Sequence, residues 1–171
     1  MNYVAPTVLL VFLALAAGFG TIATAQDADA PQAEFRPFQV HPIGWVRKAE
    51  GRTTIELAES YKPGLLGLEG FSHVYVVYWF DRNDKPGRRP ALQVHPRGNR
   101  QNPLTGVFAT RSPSRPNLVA LTLCKIVAVR GNVVEVEKID AFPDTPVVDL
   151  KPYIPGYDSA DDATVPDWLR R

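Results

Sequence analysis

Residues Leu118–Ile139 read LVALTLCKIVAVRGNVVEVEKI, two runs rich in β-branched residues joined by RGN. A glycine-bearing turn between two such runs is the pattern of a β-hairpin, and it makes this segment the anchor of the fold. Upstream, SHVYVVYWF (Ser72–Phe80) is too continuous in apolar and aromatic residues to leave one face wet, so it is expected as a central strand. HPIGWVR (His41–Arg47) and TTIEL (Thr53–Leu57) are shorter strand candidates. Helix is scarce. AESYKPGLLGLEG (Ala58–Gly70) contains Pro63, Gly64 and Gly67 and holds one or two helical turns at most; SADDATVPDWLRR (Ser159–Arg171) holds another. Sixteen prolines and twelve glycines punctuate many short strands. The expected class is therefore mainly β: a small antiparallel β-barrel, closed or nearly closed, with one or two short helices.

The whole chain has 171 residues, 45% of them apolar and 22% charged, which suits one domain with one core. A net charge of +1 rules out a global field that would drive the chain toward nucleic acid. The charge is nevertheless uneven. Arg82, Lys85, Arg88, Arg89, Arg97, Arg100, Arg111 and Arg115 are opposed between Arg82 and Arg115 only by Asp84, whereas acids dominate from Glu135 to Asp162.

At the N-terminus, VLLVFLALAA (Val8–Ala17) is followed by Ala23-Thr24-Ala25, a small-x-small cleavage pattern before Gln26. Residues 1–25 read either as a secretory signal or as an uncleaved anchor, since the leading MNYVAPT lacks Lys and Arg and the uncharged stretch is long enough to span a bilayer. Residues 26–39 form a polar linker, 40–158 the barrel and 159–171 a C-terminal tail. Cys124 is the only cysteine, so no disulfide forms within the chain, and its apolar surroundings mark it as a small buried hydrophobe.

The chain has no G-x-S-x-G elbow, no P-loop, no H-E-x-x-H, no paired Cys ligands and no Rossmann glycine fingerprint after a strand. His41, His73 and His95 are far apart in sequence and read as structural. The stretch that does suggest chemistry is FATRSPSRPN (Phe108–Asn117). Arg111 and Arg115 are four apart, but Pro113 and Pro116 forbid a helix, which leaves a stiff cationic loop suited to an anion or a nucleotide.

Four ordered stretches carry a family resemblance: GLEGFSHVYVVYWF (Gly67–Phe80), VHPRG (Val94–Gly98), NPLTGVFATRSPSRPN (Asn102–Asn117) and DTPVVDLKPYIPGYD (Asp144–Asp158). Together, over about Val40–Asp158, they resemble the TsaA-like, TrmO-type methyltransferases. That resemblance implies a single-sheet β-barrel, usually a homodimer, which binds S-adenosylmethionine without a Rossmann fold and methylates N6 of threonylcarbamoyladenosine in tRNA. It assigns His95, Arg97, Phe108, Thr110, Arg111, Ser112, Pro113, Asp140, Thr145 and Asp149 to the cofactor. It assigns Arg88, Arg89, Arg100, Arg115, Asn117, Lys151 and Tyr153 to the substrate. Asp140, Asp149 and Tyr153 would offer oxygen acceptors near a sulfonium; no metal is implied, and no catalytic residue is assigned.

The chain departs from the family pattern in three places. Pro143-Asp144 replaces the usual Asp-Gly, Leu118-Val119-Ala120 replaces Pro-Ile-Gly, and the leader implies export or membrane attachment, or a cytoplasmic protein if the leader is a misread start. The lost glycines would narrow the cleft or reshape its backbone. A second reading follows from these departures: an exported, non-catalytic small-molecule-binding barrel.

Overall fold

The computed structural model describes residues 37–170. The signal or anchor reading of residues 1–25, and the linker up to residue 36, lie outside the described residues.

Leu118–Ile139 does form the expected hairpin. Strand β6 (Val119–Arg130) pairs with β7 (Val133–Val136), with Arg130 opposite Val133 and Gly131-Asn132 as the two-residue turn. Gly131 takes φ 63, the left-handed conformation a tight primed turn requires of its first residue. The other barrel strands are β1 (Gly44–Ala49), β2 (Arg52–Leu57), β3 (His73–Trp79) and β8 (Pro146–Pro152). A separate two-stranded ribbon consists of β4 (Gln93–Val94) and β5 (Thr105–Gly106). The barrel closes in the order β1-β2-β7-β6-β3-β8, with every pairing antiparallel. Closure leaves no barrel strand with a free edge.

Alternation along each strand fills the interior. Val46, Ile55, Val74, Val76, Val134 and Val147 are all fully buried, and Cys124 is packed among them at 1% exposure. Each such aliphatic side chain contributes roughly 1.5–3 kcal/mol by leaving water. Segment β3 differs from the expectation of a strand with no wet face: Val74, Val76 and Tyr78 point inward, while His73, Tyr75, Val77 and Trp79 are only half-buried. In a single-layer barrel the outer face has no second sheet above it, so an apolar run cannot hide both sides.

The proline- and glycine-rich Ala58–Gly70 segment forms short 3₁₀ turns over Glu59–Leu65 and Leu68–Gly70. Leu65 and Leu68 insert from these turns into the core. The C-terminal region holds a four-residue α1 (Pro155–Asp158) and a 3₁₀ turn at Asp167–Leu169. At the β1–β8 seam the ladder is short, with Gly44 opposite Val147. On its other side Gly44 pairs with Leu57 of β2, and a Cβ there would lie 2.3 Å from the carbonyl oxygen of Glu56, so the approach of β1 to β2 demands glycine. No helix among the described residues is long and apolar enough to cross a membrane.

Candidate functional site

The Phe108–Asn117 loop starts from a fixed point just after the β4–β5 ribbon. Val107 is fully buried, and its carbonyl accepts the Thr110 hydroxyl at 2.8 Å. The Thr110 hydroxyl in turn accepts the Ser112 amide (3.2 Å), and the Ser112 hydroxyl accepts the Ser114 amide (3.1 Å). These successive side-chain turns explain the run of small polar residues: each one ties down backbone that prolines keep out of a helix. They leave Phe108 76% exposed and Arg111 free to project. From outside, Arg88 clamps the loop, donating from Nη2 to the Pro113 carbonyl at 3.0 Å and from Nη1 to the Arg115 carbonyl at 3.5 Å.

The VHPRG motif stands beside this loop. His95 Nδ1 lies 2.9 Å from the Asn102 backbone carbonyl, and Asn102 Nδ2 donates to the Pro96 carbonyl at 2.9 Å. Arg97 and Gly98 take φ 58 and φ 67 in succession. A left-handed arginine costs roughly 1–2 kcal/mol, and such conformations gather where a side chain must be aimed at a ligand.

The facing wall comes from the chain between β7 and β8. Tyr78 at the end of β3 donates its hydroxyl to the Asp140 carbonyl and lies 3.2 Å from the Thr122 hydroxyl. Burial pushes the Tyr78 phenol above its ordinary range, with the nearby Asp140 charge adding to the effect and the Thr122 hydrogen bond opposing it. Tyr78 is therefore a neutral donor that orients the Asp140 segment. The Arg82 guanidinium stacks 3.9 Å from the centre of the Phe142 ring, and Lys48 donates to the Ile139 carbonyl at 3.2 Å.

Between these walls the surface opens into two neighbouring lobes. The smaller, about 430 Å³, is lined by Lys48, Tyr78, Phe80, Arg82, Phe142 and Thr145. The larger, about 910 Å³, is lined by His95, Arg97, Phe108, Thr110, Ser112 and Trp168. Arg111, Pro113 and Asp140 border both. Nine of the ten residues the resemblance assigned to the cofactor thus converge here.

The tenth does not. Asp149 borders a separate hollow of about 460 Å³ with Leu57, Tyr61, Leu66 and Phe71, and its carboxylate is paired with Lys151 at 2.8 Å. Tyr153, further along, packs edge-on against Tyr75 and His73. Strand geometry is the reason: at ~3.3 Å per residue, β8 carries Asp149 about 13 Å from Thr145 and Tyr153 twice as far. Among the residues assigned to the substrate, Arg89, Arg100 and Asn117 are exposed and line neither lobe, and Arg88 serves the loop. Sequence reasoning missed Tyr78, whose place in an apolar strand marked it as core, and Arg82, Phe142 and Trp168.

At the position of the lost glycine before Thr145 the backbone adopts a glycine-like conformation. Asp144 takes φ 64, a conformation glycine adopts freely and Asp tolerates better than most, and its amide donates to the Val46 carbonyl at 2.8 Å. Its carboxylate pairs with Arg47, whose guanidinium is pushed above its ordinary value by its hydrogen bond with Glu56 and then by Asp144. Among the described residues no three His, Cys, Asp or Glu side chains converge as a metal site.

Comparison with known proteins places this site in a family. Residues 32–159 match the model of the tRNA-methyltransferase O N-terminal domain. A probable S-adenosyl-L-methionine-binding protein of Methanocaldococcus jannaschii is 41% identical over 114 residues, 67% of this chain and 90% of that one. The human tRNA (adenine(37)-N6)-methyltransferase is 44% identical over 102 residues, which is 60% of this chain but only 22% of that protein. Two crystal structures of TrmO from Pseudomonas aeruginosa superpose with TM-scores of 0.61 and 0.59 at 26% and 27% identity, covering 80% and 75% of this chain and 64% and 62% of theirs. The barrel, its ordered motifs and these matches together establish that the chain belongs to the TrmO family.

Proposed function

We propose that the chain is an S-adenosylmethionine-dependent methyltransferase acting on N6 of an adenosine in tRNA. The observation that carries this reading is the pair of neighbouring lobes with Arg111 and Asp140 in the walls of both. Methyl transfer brings two reactants into line, and two neighbouring compartments suit that geometry better than a single binding pocket. The names of the archaeal and mammalian relatives point the same way. The chain spans about a fifth of the human enzyme and under two thirds of the TrmO structures, so the substrate is inferred for the part it shares.

The side chains fit the donor. S-adenosylmethionine supplies an electrophilic methyl on a sulfonium, flanked by an adenosine and an amino-acid end. The larger lobe offers the open ring of Phe108 to a purine, the Asp140 carboxylate to positive charge, and Arg97 and Arg111 to a carboxylate. Its volume is in the ~300–1,000 Å³ range of small-molecule sites. The smaller lobe, with Phe80 and Phe142 beside Arg82, then receives the target nucleoside. The protein contributes orientation and charge, and no covalent nucleophile is needed. The segment from Arg82 to Arg115 that borders the lobes carries eight cations against one acid, Asp84, which accepts the Trp79 indole at 2.9 Å, while Asp81 and Asp140 place acids on the lobe walls. This rim suits a phosphate backbone.

The decisive experiment is calorimetry of S-adenosylmethionine with the full chain, followed by transfer of labelled methyl to tRNA. Absence of binding would sink the reading and revive the non-catalytic barrel.

We also infer a homodimer through the outer face of β6. Val119, Leu121, Leu123 and Val127 are 42–57% exposed in one outward row, and Leu123 and Leu121 stand opposite Tyr75 and Val77 of β3. Lys125, paired with Glu137 at 3.9 Å, interrupts the row before Val127, so the apolar patch is Val119–Leu123 with its β3 neighbours, and an exposed patch of this kind marks an interaction surface. Sedimentation should give twice the chain mass, and Leu121→Lys should give the monomer. Export or anchoring through residues 1–25 remains the proposal for localisation, tested by N-terminal sequencing of the protein from soluble, periplasmic and membrane fractions.

A further inference from the structure

The family match ends at residue 159, but the chain returns to the site after it. Val165, Pro166, Trp168 and Leu169 line the larger lobe together with Phe108 and Arg111. They follow an acidic stretch, Ser159–Thr164, with no apolar residue larger than alanine. The turn that presents them is tied locally: the Leu169 amide donates to the Pro166 carbonyl at 3.0 Å, the Arg170 amide to the Asp167 carbonyl at 3.2 Å, and Arg170 pairs with Asp167 at 3.3 Å.

The apolar side chains of this lobe are left open. Phe108 is 76% exposed, and Val165 and Leu169 are 44% exposed each, all on the walls of one concavity. Large apolar groups exposed in a cleft are what a flat ligand ring buries. Indole offers the widest π-face of any side chain. With Arg97 and Arg111 on the same walls, the lobe combines stacking surface and cationic charge, the pairing that holds a nucleobase beside charged groups.

We propose that the C-terminal turn is a wall of the donor site and that Trp168, with Phe108, holds the adenine ring of the methyl donor. The inference rests on the methyltransferase reading. It extends the site beyond the family domain into a segment that the sequence presented as a tail.

The test is calorimetry on the full chain with S-adenosylmethionine and with S-adenosylhomocysteine, which lacks the sulfonium charge but keeps the adenosine. Loss of one stacking ring corresponds to a decrease of about 5- to 150-fold in affinity. Trp168→Ala should weaken both ligands within that range, by equal factors because only the adenosine is affected, and Trp168→Phe should restore most of the binding. Trp168→Leu keeps apolar bulk without the π-face and should behave like the alanine variant. Wild-type chain that binds neither ligand would remove the methyltransferase reading and this inference together. Wild-type binding with an unchanged Trp168→Ala variant would overturn the Trp168 assignment alone. Weakened binding of an anticodon stem-loop RNA with unchanged donor affinity would move the ring to the substrate base and overturn the assignment to the donor.

Discussion

Replacing Arg88 with alanine separates a positioning role from a phosphate contact. Arg88 donates to the Pro113 carbonyl at 3.0 Å, a good hydrogen bond, and to the Arg115 carbonyl at 3.5 Å, which is marginal. A hydrogen bond from a charged donor contributes about 1.5–3 kcal/mol; with one sound bond, discounted for solvent screening at a half-exposed side chain, about 1–2 kcal/mol applies. This energy holds the loop that carries Thr110, Arg111 and Pro113 into the cleft. If the loop must be closed to bind S-adenosylmethionine, Arg88→Ala should lower affinity by about 5- to 30-fold, the same free energy expressed as a binding ratio. Amide exchange at Arg111–Arg115 should speed up by a similar factor while the barrel amides remain protected. Arg89→Ala is the control, since the exposed Arg89 makes no contact with the loop. A pure phosphate contact would leave donor affinity and loop exchange unchanged and would flatten only the salt dependence of RNA binding. Equal donor affinities and equal exchange in Arg88→Ala, Arg89→Ala and wild type would refute the bracing role.

Three further outcomes follow from the geometry. Gly44→Ala forces a methyl to within 2.3 Å of the Glu56 carbonyl of β2, where β1 and β2 pair, and should cost about 3 kcal/mol in urea unfolding. Asp144→Gly should leave stability within about 1 kcal/mol of wild type, because strain relief offsets the lost Arg47 pair, whereas Asp144→Val at φ 64 should lose about 2 kcal/mol or more. Burial pushes the Cys124 thiol up to about 11 from an ordinary 9.0. Its neutral form is therefore favoured in the folded chain, so its contribution is fully present below pH 9 and is lost as pH rises toward 11, by about 2 kcal/mol. Tyr78 acts in the same direction. Denaturant titrations across this range should show the decline, part of which Cys124→Ala should remove, and native Cys124 should resist thiol reagents at pH 8.

Where periodicity and turn chemistry act within a dozen residues, the structure was legible in the chain. The β6–β7 hairpin, the burial of Cys124 and the breakup of Ala58–Gly70 into short turns all follow from local residue order. The Phe108–Pro113 loop was legible as a stiff cationic element for the same reason, since its prolines and hydroxyls act on their own backbone. What meets that loop was decided by the closure of the barrel. Closure joins Tyr78 from β3 to the Asp140 carbonyl beyond β7, on the walls of the hollow that Arg111 also borders, although the spacing of these residues in sequence carries no sign of it. The same closure separates Thr145 from Asp149, four residues apart in one motif, because a strand advances instead of coiling back. Arg88 and Trp168 show the limit most clearly. A surface arginine and a tail tryptophan look alike in any sequence until the fold supplies the carbonyls that one clamps and the cleft that the other lines.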